Sequence, residues 1–232
     1  MSTFVPAKIA CRCGETYPVE VANGLHISLR PDLRKQILDG EFHRFRCPRC
    51  ATITQIDGLL AFTDFPRRQW FTVAPGNGLP WRKKWLALAR ESFETTMERN
   101  APPMVVGWAR EMTRRLIFGL ASLREKLVIF DAGLDDRVVE LLKIQLIRDS
   151  HDDFSPARYF HLTEVRSDTL VLERAQPDGM VRAAPIPRVM YDALAGAPEL
   201  AASIDLAFPD GLLVDHRAIL VPEAEGSEQL GA

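Results

Sequence analysis

Cysteine is scarce in this 232-residue chain, with four in all, and every one of them falls between positions 11 and 50. A fold stapled along its length by disulfides is thereby excluded. Long apolar runs are missing too. No segment approaches the roughly 20 residues needed to cross a bilayer as a helix, and Met1 to Ala10 lacks the apolar core of a secretory leader. The expectation is a cytoplasmic chain, in a compartment that keeps thiols reduced and available to metal. Aromatic residues make up only 8% and are nowhere interleaved with a long basic run, so there is no stacking platform of the kind that reads single-stranded nucleic acid. The H-E-x-x-H, G-x-S-x-G and complete G-x-G-x-x-G patterns are absent, and with them the enzyme classes those motifs announce. No segment repeats.

What is present begins with the cysteines. They form two close pairs, Cys11-Arg12-Cys13-Gly14 and Cys47-Pro48-Arg49-Cys50, separated by a short β-rich segment. That is the layout of a four-thiolate zinc ribbon, in which two turns meet around one tetrahedral ion. In C-x-x-C the turn aims both sulfurs at a point about 2.3 Å from each, and Pro48 fixes φ just after the first ligand. The C-x-C pair is one residue shorter. Its two sulfurs reach one ion only if the chain bends at Arg12, and Gly14 is the residue able to absorb the distortion. The candidate ligands are Cys11, Cys13, Cys47 and Cys50. His26 or His43 stands as an alternative to one thiolate of the first pair. Cys47 and Cys50 alone also fit a redox dithiol, although such a motif usually opens a helix and here the residues after Cys50 read as a strand.

Composition places the chain among globular proteins, with 47% apolar and 26% charged residues. The net charge of −2 is unevenly spread. Residues 1–85 hold thirteen Lys or Arg against seven Asp or Glu, and residues 86–232 hold sixteen against twenty-four. A basic first part is compatible with nucleic acid or another polyanion, or simply with solvated charge.

Along the chain, Tyr17 to Val21 alternates as a strand. Asn23-Gly24 predicts a turn into a hairpin partner, Leu25 to Leu29. Pro31 opens a short helix that Gly40 ends. Strands are expected at Phe42 to Arg46, Thr52 to Ile56, Leu59 to Thr63 and Gln69 to Val73. The glycine-bearing stretch Ala74 to Pro80 reads as a linker in preference to a phosphate loop, because Trp81 stands where the third glycine belongs. Pro80 then starts a helix to about Arg99, with Trp81 and Trp85 on its apolar side. Met104 to Trp108 and Leu116 to Phe118 are candidate strands. Ser122 is a candidate cap for a helix to about Phe130, and Asp135 opens another to about Arg148, with Asp135, Asp136 and Glu140 read as first-turn acids complementing the helix dipole. A polar break at His151 to Pro156 marks a boundary. Beyond it come strands at Tyr159 to Val165, Thr169 to Arg174 and Val181 to Ile186, with a turn at Gln176 to Gly179. A helix at Pro187 to Leu194 follows, and then strands at Leu212 to Val214 and Ala218 to Val221.

The order of a cysteine turn, the Val19-Glu20-Val21 strand, Leu29-Arg30-Pro31-Asp32-Leu33, Ile37-Leu38-Asp39-Gly40 and Cys47-Pro48-Arg49-Cys50 resembles the CpXC family. This is a bacterial and archaeal group named for two C-P-x-C motifs. The likeness runs from about Ala10 to Leu146 and takes in Leu127 to Arg137. At the first motif the chain has C-R-C where the family has C-P-x-C. The resemblance implies a metal-binding domain and brings no activity with it.

The fold class expected is α+β: an N-terminal zinc ribbon, a helical middle part, and a C-terminal β-meander with a short helix. The domains expected are a CpXC-like domain over 8–150 (ribbon 8–73, helical part 80–150), a β-rich subdomain over 156–222, and a frayed tail over 223–232. The function expected is a non-catalytic module stabilised by structural Zn2+ that binds another protein. A nucleic-acid-binding ribbon, or an enzyme whose site is assembled from several elements, stands as the alternative. A closed four-sulfur site favours the module and an open metal position favours the enzyme.

Overall fold

The structure is a computed structural model that describes residues 1–149, 159–175 and 181–224. It is mixed α+β, with eight α-helices and three sheets among the described residues. Two compact units share the chain: Met1–Gly76 with Ala87–Leu120, and Asn77–Leu86 with Ala121–Ala232.

The first unit is built on a five-stranded sheet. Its strands are β1 (Thr3–Ala10), β2 (Thr16–His26), β5 (Leu60–Asp64), β6 (Gln69–Ala74) and β7 (Thr113–Phe118), in that spatial order. β1/β2 and β5/β6 pair antiparallel, while β2/β5 and β6/β7 pair parallel. Every residue of β6 is buried, as suits a central strand covered on both faces. Between β2 and β5 lie α1 (Pro31–Leu38) and the two-stranded hairpin β3 (Arg44–Arg46) with β4 (Ile53–Gln55). α1 carries Pro31 in its first turn and is followed by Gly40 at φ +74°, the proline-in, glycine-out asymmetry read from the sequence. α2 (Arg82–Phe93) continues as a wider π turn over Glu94–Arg99. There Phe93 and Met97 pack with Trp70, Ala109 and Met112, and Trp70 meets Phe93 edge-on at 5.5 Å.

The second unit holds α4 (Leu120–Asp131), α5 (Asp136–Asp149) and an antiparallel meander of β8 (Phe160–Val165), β9 (Thr169–Ala175) and β10 (Val181–Pro187). α6 (Arg188–Ala195), α7 (Leu200–Ala207) and the single turn α8 (Arg217–Leu220) follow. Its core joins Val138, Val139 and Leu142 of α5 to Leu162, Leu170 and Leu172 of the meander and to Tyr191 of α6.

Several expectations are corrected. Asn23-Gly24 is not a turn: β2 runs straight through it to His26, and its antiparallel partner is β1. Asn23 Oδ1 accepts the Thr3 hydroxyl at 2.7 Å. A side chain at Gly24 would come within 2.6 Å of that same hydroxyl, so the glycine serves close cross-strand approach at a register shift. The predicted hairpin partner ends as a 3-10 turn, Ile27–Leu29. Met104 to Trp108 is not a strand but part of α3 (Pro103–Ala109), started by Pro103 in its first turn. Ser122 lies inside α4 and not at its start. The helix departs from Gly119 at φ +90°, and the serine hydroxyl instead accepts from Arg217. Leu212 to Val214 and Ala218 to Val221 form no strands. Asp210 Oδ1 takes the amides of Leu212 and Leu213, and Asp215 Oδ1 takes that of Arg217, turning the chain into α8. α7 was not expected. The boundary at 151–156, the turn at 176–179 and most of the tail at 223–232 lie outside the described residues; within the tail, Glu223 pairs with Lys83 and the Ala224 amide donates to Pro80 O.

Candidate metal centre

β1 delivers Cys11 at its end, and β2 leaves three residues after Cys13. The intervening turn closes by the Gly14 amide donating to Cys11 O at 2.9 Å, with Gly14 at φ +87°. The two thiols of the short pair therefore sit inside a four-residue turn, and the left-handed residue that this turn needs is the glycine. β3 and β4 hold the second pair in the same way. The Ala51 amide donates to Cys47 O at 3.0 Å and that of Cys47 to Thr52 O at 2.8 Å, with Ala51 at φ +60°. Arg49 joins the turns by donating from its guanidinium to Cys13 O at 3.3 Å.

All four sulfurs lie within 4.8 Å of one another. Cys11 Sγ stands 3.6 Å from Cys50 Sγ, and Cys13 Sγ 3.7 Å from Cys47 Sγ. Metal–sulfur arms of about 2.3 Å in a tetrahedron put the sulfurs about 3.8 Å apart, while a disulfide needs about 2.05 Å. The cysteines are free thiols spaced to hold a metal ion. Cys47 is 1% exposed and Cys11 7%, packed with Ile9 and Tyr17 and flanked by Val19, Phe45 and Ile56. Cys50 is exposed.

Such crowding has an electrostatic consequence. The Glu15 amide works to lower the Cys13 thiol, but burial and the three neighbouring sulfurs outweigh it and push the group up to about 12. Cys50 is pulled the other way, down to about 6, by the Thr52 hydroxyl and amide. Several thiolates at these distances coexist only with a cation among them. The soft, four-sulfur donor set suits zinc or iron, and not magnesium or calcium.

Neither histidine considered as a substitute ligand joins the cluster. His43, at φ 56°, accepts the Ala22 amide on Nε2 at 2.9 Å and stacks on Phe42. His26 stands 3.1 Å from the Ser28 hydroxyl and packs on Phe65. At the glycine-bearing loop, the Gly76 amide is taken by the Asp57 carboxylate at 2.7 Å, so an anion of the protein already sits where a phosphate would bind. Trp85 is buried, and Arg82 donates to Val221 O at 3.1 Å.

A second constellation, in the other unit, escaped the sequence reading. Lys126 Nζ lies 3.0 Å from Asp136 Oδ2, 3.1 Å from Glu140 Oε1 and 2.7 Å from Val214 O. Lys143 Nζ lies 2.6 Å from Glu125 Oε1 and 3.1 Å from Glu140 Oε1. His161 Nδ1 faces Glu125 at 3.1 Å, and His216 Nδ1 faces Glu140 at 2.7 Å. Arg217 forks onto Asp215 at 2.6 and 2.9 Å. Glu125, Lys126, Asp136, Glu140 and Lys143 are each no more than 3% exposed. Burial by itself would raise the Glu140 carboxyl, but the ammonium groups of Lys126 and Lys143 hold it well below the usual range. Glu140, Asp215 and His216 come close enough to ligate an ion. Lys126 and Lys143 already pair with Glu140, and Arg217 with Asp215, so these groups form a buried ion-pair network. The sequence did hold a signal: Asp136, Glu140 and Lys143 follow the i, i+4, i+7 spacing of a buried helical face.

Comparison with known proteins adds one relationship. The model of a family described as CpXC protein matches residues 9–143, a span that includes all four cysteines. No curated protein and no solved structure matches the chain.

Proposed function

The chain belongs to the CpXC family, and from that premise we propose that it is a non-catalytic interaction module, held together by one structural zinc ion and engaging another protein. The observation that carries this reading is the closure of the site. Four cysteine sulfurs cluster at the spacing of a metal–thiolate tetrahedron, and a set of four cysteine ligands leaves no position for water or substrate, as a catalytic zinc would require. Cys11, Cys13, Cys47 and Cys50 would be the ligands. Zinc would neutralise the crowded thiolates and pin the β1–β2 and β3–β4 turns to each other, a role in which metal binding supplies folding free energy of order 10 kcal/mol.

The test is elemental analysis of protein purified without added metal, followed by chelation. One zinc per chain is expected, with loss of the near-ultraviolet signal of Tyr17 and its surroundings when zinc is removed. Iron in place of zinc, or a metal-free chain with native spectra and reduced thiols, would refute the reading.

A further inference from the structure

The tip of the metal centre carries three arginines that form no ion pair among the described residues. Arg12 lies between Cys11 and Cys13, Arg49 between Cys47 and Cys50, and Arg46 ends β3 immediately before Cys47; all three are exposed. The proximity of the four sulfurs and the Arg49 to Cys13 O bond place the two knuckles, which carry these residues, next to each other. Other arginines of the same unit are paired: Arg30 with Asp32 at 2.7 Å, Arg44 with Glu41 at 2.7 Å, Arg67 with Asp64 at 3.0 Å and Arg99 with Glu94 at 2.7 Å. Among the described residues, no carboxylate lies within ion-pair distance of Arg12, Arg46 or Arg49. None of the three donates to a sulfur either; the one bond, from Arg49, goes to a backbone carbonyl. They are therefore not spent on screening the thiolates by direct contact.

We propose that this tip is a docking surface for an acidic segment of a partner protein, its carboxylates taken by Arg12, Arg46 and Arg49. The proposal rests on the interaction-module reading above and specifies the chemistry of the partner. Guanidinium forks match carboxylates and phosphates alike, so the surroundings decide between them. A site for nucleic acid bases would show exposed aromatic faces. Here the aromatic rings, Tyr17 and Phe45, are turned into the cluster beneath the sulfurs. The exposed neighbours are aliphatic instead: Pro48, and Ile53, which is 43% exposed and stands opposite Arg46 in the β3–β4 ladder. Unpaired cations around an exposed aliphatic patch complement an acidic peptide that carries an apolar side chain.

The experiment uses the full zinc-loaded chain and fluorescence anisotropy with four labelled probes: a peptide alternating Glu and Leu, its Lys–Leu counterpart, a single-stranded DNA and a duplex RNA. The variants are R12Q/R46Q and R12E/R46E, which leave the Arg49 bond to Cys13 O in place, with zinc content measured on every preparation. The expected result is binding of the Glu–Leu peptide alone among the peptides, weakened about tenfold or more by charge reversal and less by neutralisation, with one zinc retained throughout. Equal binding by wild type and the charge-reversed variant, or no binding of the acidic peptide while zinc is present, overturns the docking surface and leaves the zinc module standing. Tighter binding of either nucleic acid, lost on charge reversal, also overturns it and assigns the tip to phosphate. Absence of zinc from the wild-type chain overturns the reading underneath.

Discussion

Replacing Lys143 by Met removes one charge from the interior at nearly constant volume. Lys143 is 1% exposed, and its ammonium is shared between Glu125 at 2.6 Å and Glu140 at 3.1 Å. Deleting one partner of a buried pair leaves an uncompensated charge and typically costs about 3–5 kcal/mol. Here Glu140 keeps Lys126 and His216, and Glu125 keeps His161 and the Leu162 amide. The loss should accordingly fall near the lower end, about 3 kcal/mol, a large share of the roughly 5–15 kcal/mol by which a typical protein is stable. Urea unfolding followed by circular dichroism and by tryptophan fluorescence measures it, and coincidence of the two probes tests for a single transition. The double variant E125Q/K143M should recover part of the loss, because the carboxylate left alone is then neutral. The pH dependence has a definite sign. Burial would raise Glu125, but Lys143 and His161 hold it below the ordinary range; a depressed carboxylate contributes stability that is complete above the unfolded carboxylate pKa and lost as pH falls through the folded value. Lys143→Met lets Glu125 take up a proton more readily, so the gap between wild type and variant should narrow on acidification. A loss below about 1 kcal/mol at neutral pH, or one that widens on acidification, would show that the network does not carry the weight assigned to it.

Among the metal ligands, Cys47→Ser and Cys11→Ser remove the buried sulfurs and should weaken zinc at least as much as Cys50→Ser, read by chelator competition. The short C-x-C turn closes without distortion beyond Gly14, so Cys13→Ser should not be spared either. Gly14→Ala meets no atom within 4 Å but would hold a side chain at φ +87°, so about 1–2 kcal/mol of strain should lower both melting temperature and zinc affinity. Burial depresses His43 to about 4 from an ordinary 6.5. Its neutral form favours the fold fully above about pH 6.5, and this contribution fades as pH falls toward about 4; an NMR titration of the imidazole should find its midpoint far below the ordinary value. A side chain at Gly78 would come within 2.7 Å of Trp85 Nε1, so Gly78→Ala should shift tryptophan emission and lower the melting temperature.

The parts legible in the sequence were those fixed by local chemistry. Proline and glycine bracketed α1 correctly because their constraints on φ hold whatever surrounds them. The four cysteines announced a thiol cluster able to hold a metal ion, and their sulfurs do come together. The errors came where a long-range partner decides. Asn23-Gly24 has the composition of a tight turn, but Thr3 across the ladder uses the asparagine oxygen and the missing Cβ, and the strand continues. Ser122 has the composition of a helix cap, but Arg217, ninety-five positions away, claims its hydroxyl. Leu212 to Val214 has the apolar content of a strand, and it is buried, but Asp210 binds its amides before any neighbouring strand can. In each case a side chain distant in sequence or a local polar group competes with the backbone ladder, a contest that periodicity does not record.

The same competition bears on where the family match stops. It ends at residue 143, which is Lys143, in the middle of α5 and at the centre of the buried ion network. Inside the match lie three carboxylates, Glu125, Asp136 and Glu140, and two ammonium groups, Lys126 and Lys143; an excess negative charge remains in the interior. Further polar partners of these groups come from beyond the match. His161 faces Glu125, the imidazole and amide of His216 face Glu140, and Val214 O completes Lys126. The apolar core is divided likewise, with Val138, Val139 and Leu142 on the matched side packed against Leu162, Leu170, Leu172 and Tyr191 on the other. Neither half satisfies its buried groups alone, and the cost of leaving such charges without partners exceeds that of an ordinary surface cut. The four sulfurs lie wholly within the match. The charges of α4 and α5 are closed only by the residues that follow, so the physical unit around Glu140 extends to Arg217.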